Sequence, residues 1–202
     1  MSLNRRRFLE SASAAVLSAA ANVSGSARSA APSEGNGDRI HCQILEYGGT
    51  VAEIAAALVA AQAGCQTILV ERGNHFGGMM ASGLGATDTL RERAFGGHFS
   101  EFLRRTREYY VHTYGSGSDQ YRMTYDGFFM EPHVAETILN EMIGSRQGLQ
   151  TMKRIELIEV AKQGNRVAGS VYKNRDTGAR VTISHEVAID GTYEGISPPR
   201  PE

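Results

Sequence analysis

Apolar and polar positions alternate from Ile40, through Cys42 and Ile44, to Leu45, which predicts a strand over residues 40–47. Gly48-Gly49-Thr50 breaks that pattern. From Val51 the period becomes helical. Val51, Ile54, Ala55 and Leu58 fall at i, i+3, i+4 and i+7, so a helix is expected over 51–63, with Thr50 as its N-cap and Gly64 just past its end. Thr67 to Val70 is a short apolar run closed by Glu71. Strand, helix and strand in about thirty residues make one β-α-β unit, so the strands should be parallel with a right-handed crossover.

Residues 72–89 read as a glycine-rich loop. A helix over 99–110 would bury Phe99, Phe102, Leu103, Thr106 and Tyr110, and 115–119 is a loop after it. Pro132 opens a further helix to Ile143, with Val134, Ala135, Ile138, Leu139 and Met142 as its core stripe. From Leu149 the pattern is that of strands. Residues 157–161, 166–172 and 180–184 are spaced as an antiparallel meander, with turns at Gly164-Asn165 and Asp176-Thr177-Gly178. Residues 186–190 look like a separate, buried strand. The fold class is therefore α/β, a Rossmann-like parallel sheet with a small antiparallel meander.

The chain has 202 residues, 41% of them hydrophobic, enough for one domain with a tail. No apolar run reaches 18 residues, so no membrane span is expected. Lys and Arg number 21 against 22 Asp and Glu, and this balance excludes a basic nucleic-acid platform. Two cysteines exclude a disulfide framework or an all-cysteine zinc module. Cys42 and Cys65 are expected to be buried thiols.

Residues 1–31 have the layout of an export signal. Arg5-Arg6-Arg7-Phe8-Leu9 carries the Arg-Arg-x-Phe-Leu centre of the twin-arginine motif, ahead of a weakly apolar Ala/Ser run. That pathway exports folded proteins, so the expected location is the periplasm or outside the cell. Removal of the signal after Ala31 would leave 171 residues with a net charge of −4. Residues 32–38 read as a linker, 39–195 as the folded part and 196–202 as an irregular tail.

The strand, glycine turn and helix start form an anion site, because free backbone N–H groups and the positive end of the helix dipole face outward there. The six residues at the place of a dinucleotide fingerprint are Gly48-Gly49-Thr50-Val51-Ala52-Glu53. Glu71, 23 positions after Gly48, stands where an acid would hold a ribose with a free 2′-hydroxyl, which fits FAD or NAD rather than NADP. The alternative is a plain β-α-β packing unit. Two carboxyls work against a diphosphate. Glu53 replaces the third glycine, a change that an outward turn of its side chain would accommodate. Glu46 falls within a strand expected to be apolar on both faces, where an unpaired carboxylate is costly or takes up a proton instead.

Tyr47-Gly48-Gly49-Thr50-x-Ala52 resembles the opening of a family of FAD-dependent oxidoreductases. Further matches follow in order: Leu69-Val70-Glu71, His75-Phe76-Gly77-Gly78-Met79, Ser82 to Asp88, Phe95-Gly96-Gly97, Glu131 to Glu136 and Asp190 to Gly195. The family is similar in fold to the glutathione-reductase-type flavoproteins. The resemblance implies FAD, with Gly48, Gly49, Thr50 and Ala52 at its pyrophosphate, Glu71 at its ribose, and Gly77-Gly78-Met79 passing beside it. It implies hydride or electron transfer between flavin and an unknown small-molecule substrate. The match covers the N-terminal part of the family's domain plan. The proline-rich end then reads as a truncation, with the return strand and substrate domain left to a missing C-terminal chain and apolar sheet surface left uncovered. Two other readings stay open: a non-catalytic remnant that binds no cofactor, and an NAD-binding module. His75 is a candidate cofactor or substrate contact, and Met79-Met80 either touch the flavin or fill core gaps. Asp88 and Arg91 are either ligand contacts or a loop salt bridge, and no catalytic acid or base is assigned.

Overall fold

The computed structural model describes residues 38–88, 95–193 and 195. The expected export signal, the linker before Asp38, Arg91 and the tail from 196 onward lie outside the described residues. Asp38 itself already belongs to the first strand, β1 (Asp38–Tyr47).

β1 is followed by helix α1 (Val51–Gln62) and strand β2 (Thr67–Val70). Gly64, at φ +87°, takes the left-handed conformation that ends the helix. A one-turn helix α2 (Met79–Ser82) lies within the expected glycine loop. Next come α3 (Gly97–Tyr114), α4 (Asp119–Met123) and α5 (Pro132–Gly144). Asp119 is the first residue of α4 rather than the end of a loop, because the Ser118 side chain accepts the Tyr121 N–H at 3.1 Å and caps a turn. Four strands complete the chain: β3 (Leu149–Met152), β4 (Ile155–Gln163), β5 (Arg166–Asn174) and β6 (Arg180–Asp190).

All six strands form one sheet in the order β3-β2-β1-β6-β5-β4. β3, β2, β1 and β6 run parallel, while β4-β5-β6 is the antiparallel meander. β6 belongs to both parts. It is one strand of 11 residues, where the sequence pattern predicts two. Its start pairs with β5 from Arg180 to Ser184, and its length pairs with β1 from Asp38 opposite Val181 to Tyr47 opposite Asp190. The expected burial of residues 186–190 is wrong. β5 pairs with β6 only as far as Ser184, so among the described residues the rest of β6 has a neighbour on one edge only. All five residues are exposed, Val187 at 48% and Ile189 at 41%.

Period-2 alternation sends neighbouring residues of β2 into two cores. Leu69 joins Ile54, Ala57 and Leu58 of α1, Phe102 of α3 and the Val134-Ile138-Leu139 stripe of α5. Ile68 and Val70 pack instead with Leu45, Tyr47, Ile155, Leu157, Tyr172 and Ile183. The sheet therefore folds back on itself, bringing β4 to the end of β2, where the Ile155 N–H donates to the Glu71 carbonyl at 3.1 Å. No helix among the described residues is long and apolar enough to cross a membrane.

Both cysteines are free. Cys42 is 1% exposed, and burial pushes its thiol up to about 11. Cys65 is only half-buried, because it sits in the loop ahead of β2 rather than within it. An aromatic disulfide reagent should therefore modify one thiol of the native protein readily and the second only after denaturation. Two equivalents reacting at equal rates would show that β1 is not packed as described.

Candidate functional site

β1 and β6 end side by side, Tyr47 opposite Asp190, and the chain turns sharply after each. A cleft of about 510 Å³ opens there, walled by Tyr47 to Thr50, Glu71 to Gly73 and Thr192-Tyr193. Gly48 has φ +121°, its N–H donates to the Val70 carbonyl at 2.8 Å, and a Cβ on it would lie 3.1 Å from the Thr192 nitrogen. Only glycine suits both that backbone and that approach. The Gly77 N–H donates to the Gly49 carbonyl at 2.6 Å, and the Met79 N–H to the Tyr193 hydroxyl at 3.0 Å. Gly78, at φ +54°, lets that hydroxyl come close, since its Cβ would be 2.5 Å away. Three segments distant in sequence are thus tied together at one rim.

Thr50 is the N-cap of α1, yet its hydroxyl does not cap the helix. It donates to the Glu53 carboxylate instead. The first-turn amides of α1 are left without a side-chain acceptor at the positive end of the helix dipole, which is the condition for an anion site. Across the cleft, one oxygen of Glu71 accepts the Gly73 N–H, and the other sits where a Cβ on Gly49 would go.

Gly48, Gly49, Thr50, Glu71 and Gly78 line the cleft together. The other three expected site residues do not. Ala52 is exposed on the first turn of α1. Gly77 is buried, and its Cβ would press on Ala81 at 2.8 Å and Leu139 at 2.9 Å, so it serves packing. Met79 is 61% exposed and offers its backbone N–H to Tyr193, while Met80 packs against the helix-side core. His75 does reach the cleft wall, its Nδ1 held 2.9 Å from Glu136 of α5. Among the described residues no group of three or more His, Cys, Asp or Glu side chains is placed to hold a metal.

Sequence spacing missed Arg72, Glu156 and Arg175. Arg72 donates to Glu156 of β4 at 3.2 and 3.1 Å, and Arg175 donates to the Arg72 carbonyl at 3.4 Å. These contacts cross 84 and 103 positions, so no local pattern marks them.

Two carboxyls sit behind the turn. Glu46 is fully buried and neither of its oxygens has a hydrogen-bond partner. Loss of solvent, and secondarily the charge of Glu53, push it up to about 7. Glu53 is 2% exposed and turns inward, so it is not accommodated by an outward turn. The reason is Gly191: an alanine Cβ there would overlap the Glu53 carboxylate, so the missing side chain provides its space.

The glycine cradle, the uncapped helix start and Glu71 suit the adenosine-diphosphate half of a dinucleotide. Solved structures share the fold. The chain is similar to THI4 of Thermovibrio ammonificans, with 15% identity and a TM-score of 0.52 over 95% of this chain and 67% of that one. It is also similar to the myxobacterial chondrochloren halogenase CndH, a variant of FAD-dependent halogenases, with 17% identity and a TM-score of 0.50 over 75% of this chain and 37% of that one. Among such structures the chain spans between 24% and 67% of the length of the solved protein. No curated protein matches it in sequence. The model of the FAD dependent oxidoreductase family matches residues 43–196, and the chain therefore belongs to that family, whose cofactor is FAD.

Proposed function

We propose that residues 39–195 are the FAD-binding portion of an oxidoreductase of the glutathione-reductase type and hold the adenosine-diphosphate half of the cofactor in the cleft. The carrying observation is the uncapped first turn of α1 opening beside Gly48 and Gly49, with Glu71 on the facing wall. In this reading the backbone N–H groups of Gly49 and Thr50 bind the diphosphate, and Glu71 accepts from the ribose hydroxyls. Tyr193 braces Gly78 and Met79 against the turn, so the Gly77-Gly78-Met79 loop passes beside the cofactor in a fixed position. Bound FAD supplies the hydride and electron chemistry.

The chain then acts within a larger unit. The edge of β6 that is unpaired among the described residues, with Val187 and Ile189 exposed, offers a place for a further strand from a C-terminal segment or separate chain that would complete the flavin and small-molecule substrate sites. Export through the twin-arginine pathway fits a protein that folds around its cofactor first, and places it in the periplasm or outside the cell.

The test is a titration of the purified chain with FAD, read by flavin fluorescence and followed by gel filtration. Retained flavin and a thermal midpoint that rises with FAD concentration are expected. A Glu71→Ala variant should bind at least about tenfold more weakly, the loss of a charge-assisted hydrogen bond. A chain that neither retains FAD nor is stabilised by it would refute the reading and leave a family member without cofactor binding.

A further inference from the structure

Ligand binding as described makes no use of Glu46, although it is buried directly beneath the turn without a hydrogen bond. Its surroundings are specific. In the sheet it stands between Leu69 of β2 and Ile189 of β6, neither of which ionises. α1 contributes Glu53, whose charge acts on it. The acids at the neighbouring strand ends are engaged elsewhere. Glu71 accepts from Gly73, and Asp190 accepts from the Thr192 N–H at 3.0 Å and the Thr192 hydroxyl at 2.8 Å. On α5, Glu136 is held by His75. Among the described residues no cation forms an ion pair with Glu46 or Glu53.

Two carboxyls without a cation, behind a turn built for an anion, cannot both be charged at no cost when a diphosphate arrives. We propose that binding of a diphosphate-bearing ligand at the Gly48–Thr50 turn is coupled to uptake of a proton by the buried, unpartnered carboxyl of Glu46, so that the site loads more tightly in mildly acid than in mildly alkaline solution. The proton comes from solvent and converts the Glu46 carboxylate to the neutral acid. The sign follows from linkage. A bound anion favours protonated Glu46, so a lower pH, which protonates Glu46 in advance, removes part of the cost of binding. Glu46 is placed to titrate in this range, since burial and Glu53 push it up to about 7. The inference rests on reading the turn as the diphosphate site of FAD.

The experiment is calorimetry of FAD, and separately of ADP, binding to the intact chain at about pH 6 and about pH 8, in two buffers of different ionisation heat. The expected result is affinity about tenfold higher at the lower pH and net proton uptake on binding at the higher pH. ADP should show the same dependence as FAD, because the effect belongs to the diphosphate. Glu46→Gln should bind with nearly pH-independent affinity and take up no proton. Should that variant fail to fold, Glu53→Gln serves, and it should weaken the dependence by removing the charge beside Glu46. Persistence of the full dependence in Glu46→Gln would assign it to another group and overturn the proposal. Normal FAD binding with equal affinity and no proton uptake would overturn it while leaving the FAD reading intact. Absence of binding at either pH would overturn both.

Discussion

Replacing Gly191 with alanine lowers the thermal midpoint by about 10 °C, an expectation that follows from overpacking of about 3 kcal/mol in a domain of this size. Gly191 is outside the set of left-handed glycines, so its backbone suits alanine and the effect is purely steric. The added Cβ would fall on the carboxylate of Glu53, a buried side chain on the first turn of α1. Relief requires α1 to move away from the end of β6 or the carboxylate to leave its pocket. Either change opens the junction where Gly48 approaches Thr192. A second substitution identifies the cause. Glu53→Ala removes the obstructing group and frees the Thr50 hydroxyl to cap the helix, so it should cost little alone. In the double variant most of the lost stability should return, with a coupling of about 2 kcal/mol. If the two substitutions are additive, Glu53 does not occupy the space above Gly191, and the account of the missing third glycine fails.

That pair shows which parts of the site could be read from the sequence. The β-α-β unit was legible because its signals are local. The switch from period 2 to period 3.6 at Gly48, the left-handed Gly64 and the acid at Glu71 are properties of neighbouring residues. The direction of Glu53 was not legible, because it depends on a glycine 138 positions away that becomes its neighbour only when β6 pairs with β1. The cleft wall formed by Glu156 and Arg175 was invisible for the same reason, since it exists only once the meander folds back against the end of β2. The division of β6 had a different cause. Ser184-His185-Glu186 is polar enough to imitate a turn. His185 is nonetheless buried, with its Nε2 3.3 Å from the Ser170 hydroxyl, and the strand continues through it. Glu46 stands between these cases. Its place in a central strand predicted a carboxyl either costly or protonated; it is buried, and loss of solvent raises it to about 7. The absence of any hydrogen-bond partner required coordinates.

Glu46→Leu should therefore stabilise the protein, by an amount that depends on pH. In the folded chain the carboxyl is raised from 4.5 to about 7, chiefly by loss of solvent. At about 1.4 kcal/mol per pH unit, the difference corresponds to about 3 kcal/mol. The folded state holds the extra proton between those two values. Stability from this group is thus fully present below about 4.5, falls as pH rises toward about 7, and levels off above it. Buried His185 works the other way, because burial lowers its affinity for a proton and stability from it falls as the solution becomes acid. The wild-type profile mixes the two, but the difference between wild type and Glu46→Leu isolates Glu46. Leucine also adds apolar surface between Leu69 and Ile189, where a charged oxygen has no partner. In urea unfolding, the gain from Glu46→Leu should be about 3 kcal/mol larger at pH 8 than near pH 4.5. Parallel stability curves across that range would mean that the Glu46 carboxyl finds water or a partner in solution. Because the same proton is proposed to enter on diphosphate binding, the leucine variant should gain stability while losing the pH dependence of FAD affinity. A polar group that costs the empty fold stability would then be the one that makes its ligand affinity respond to pH.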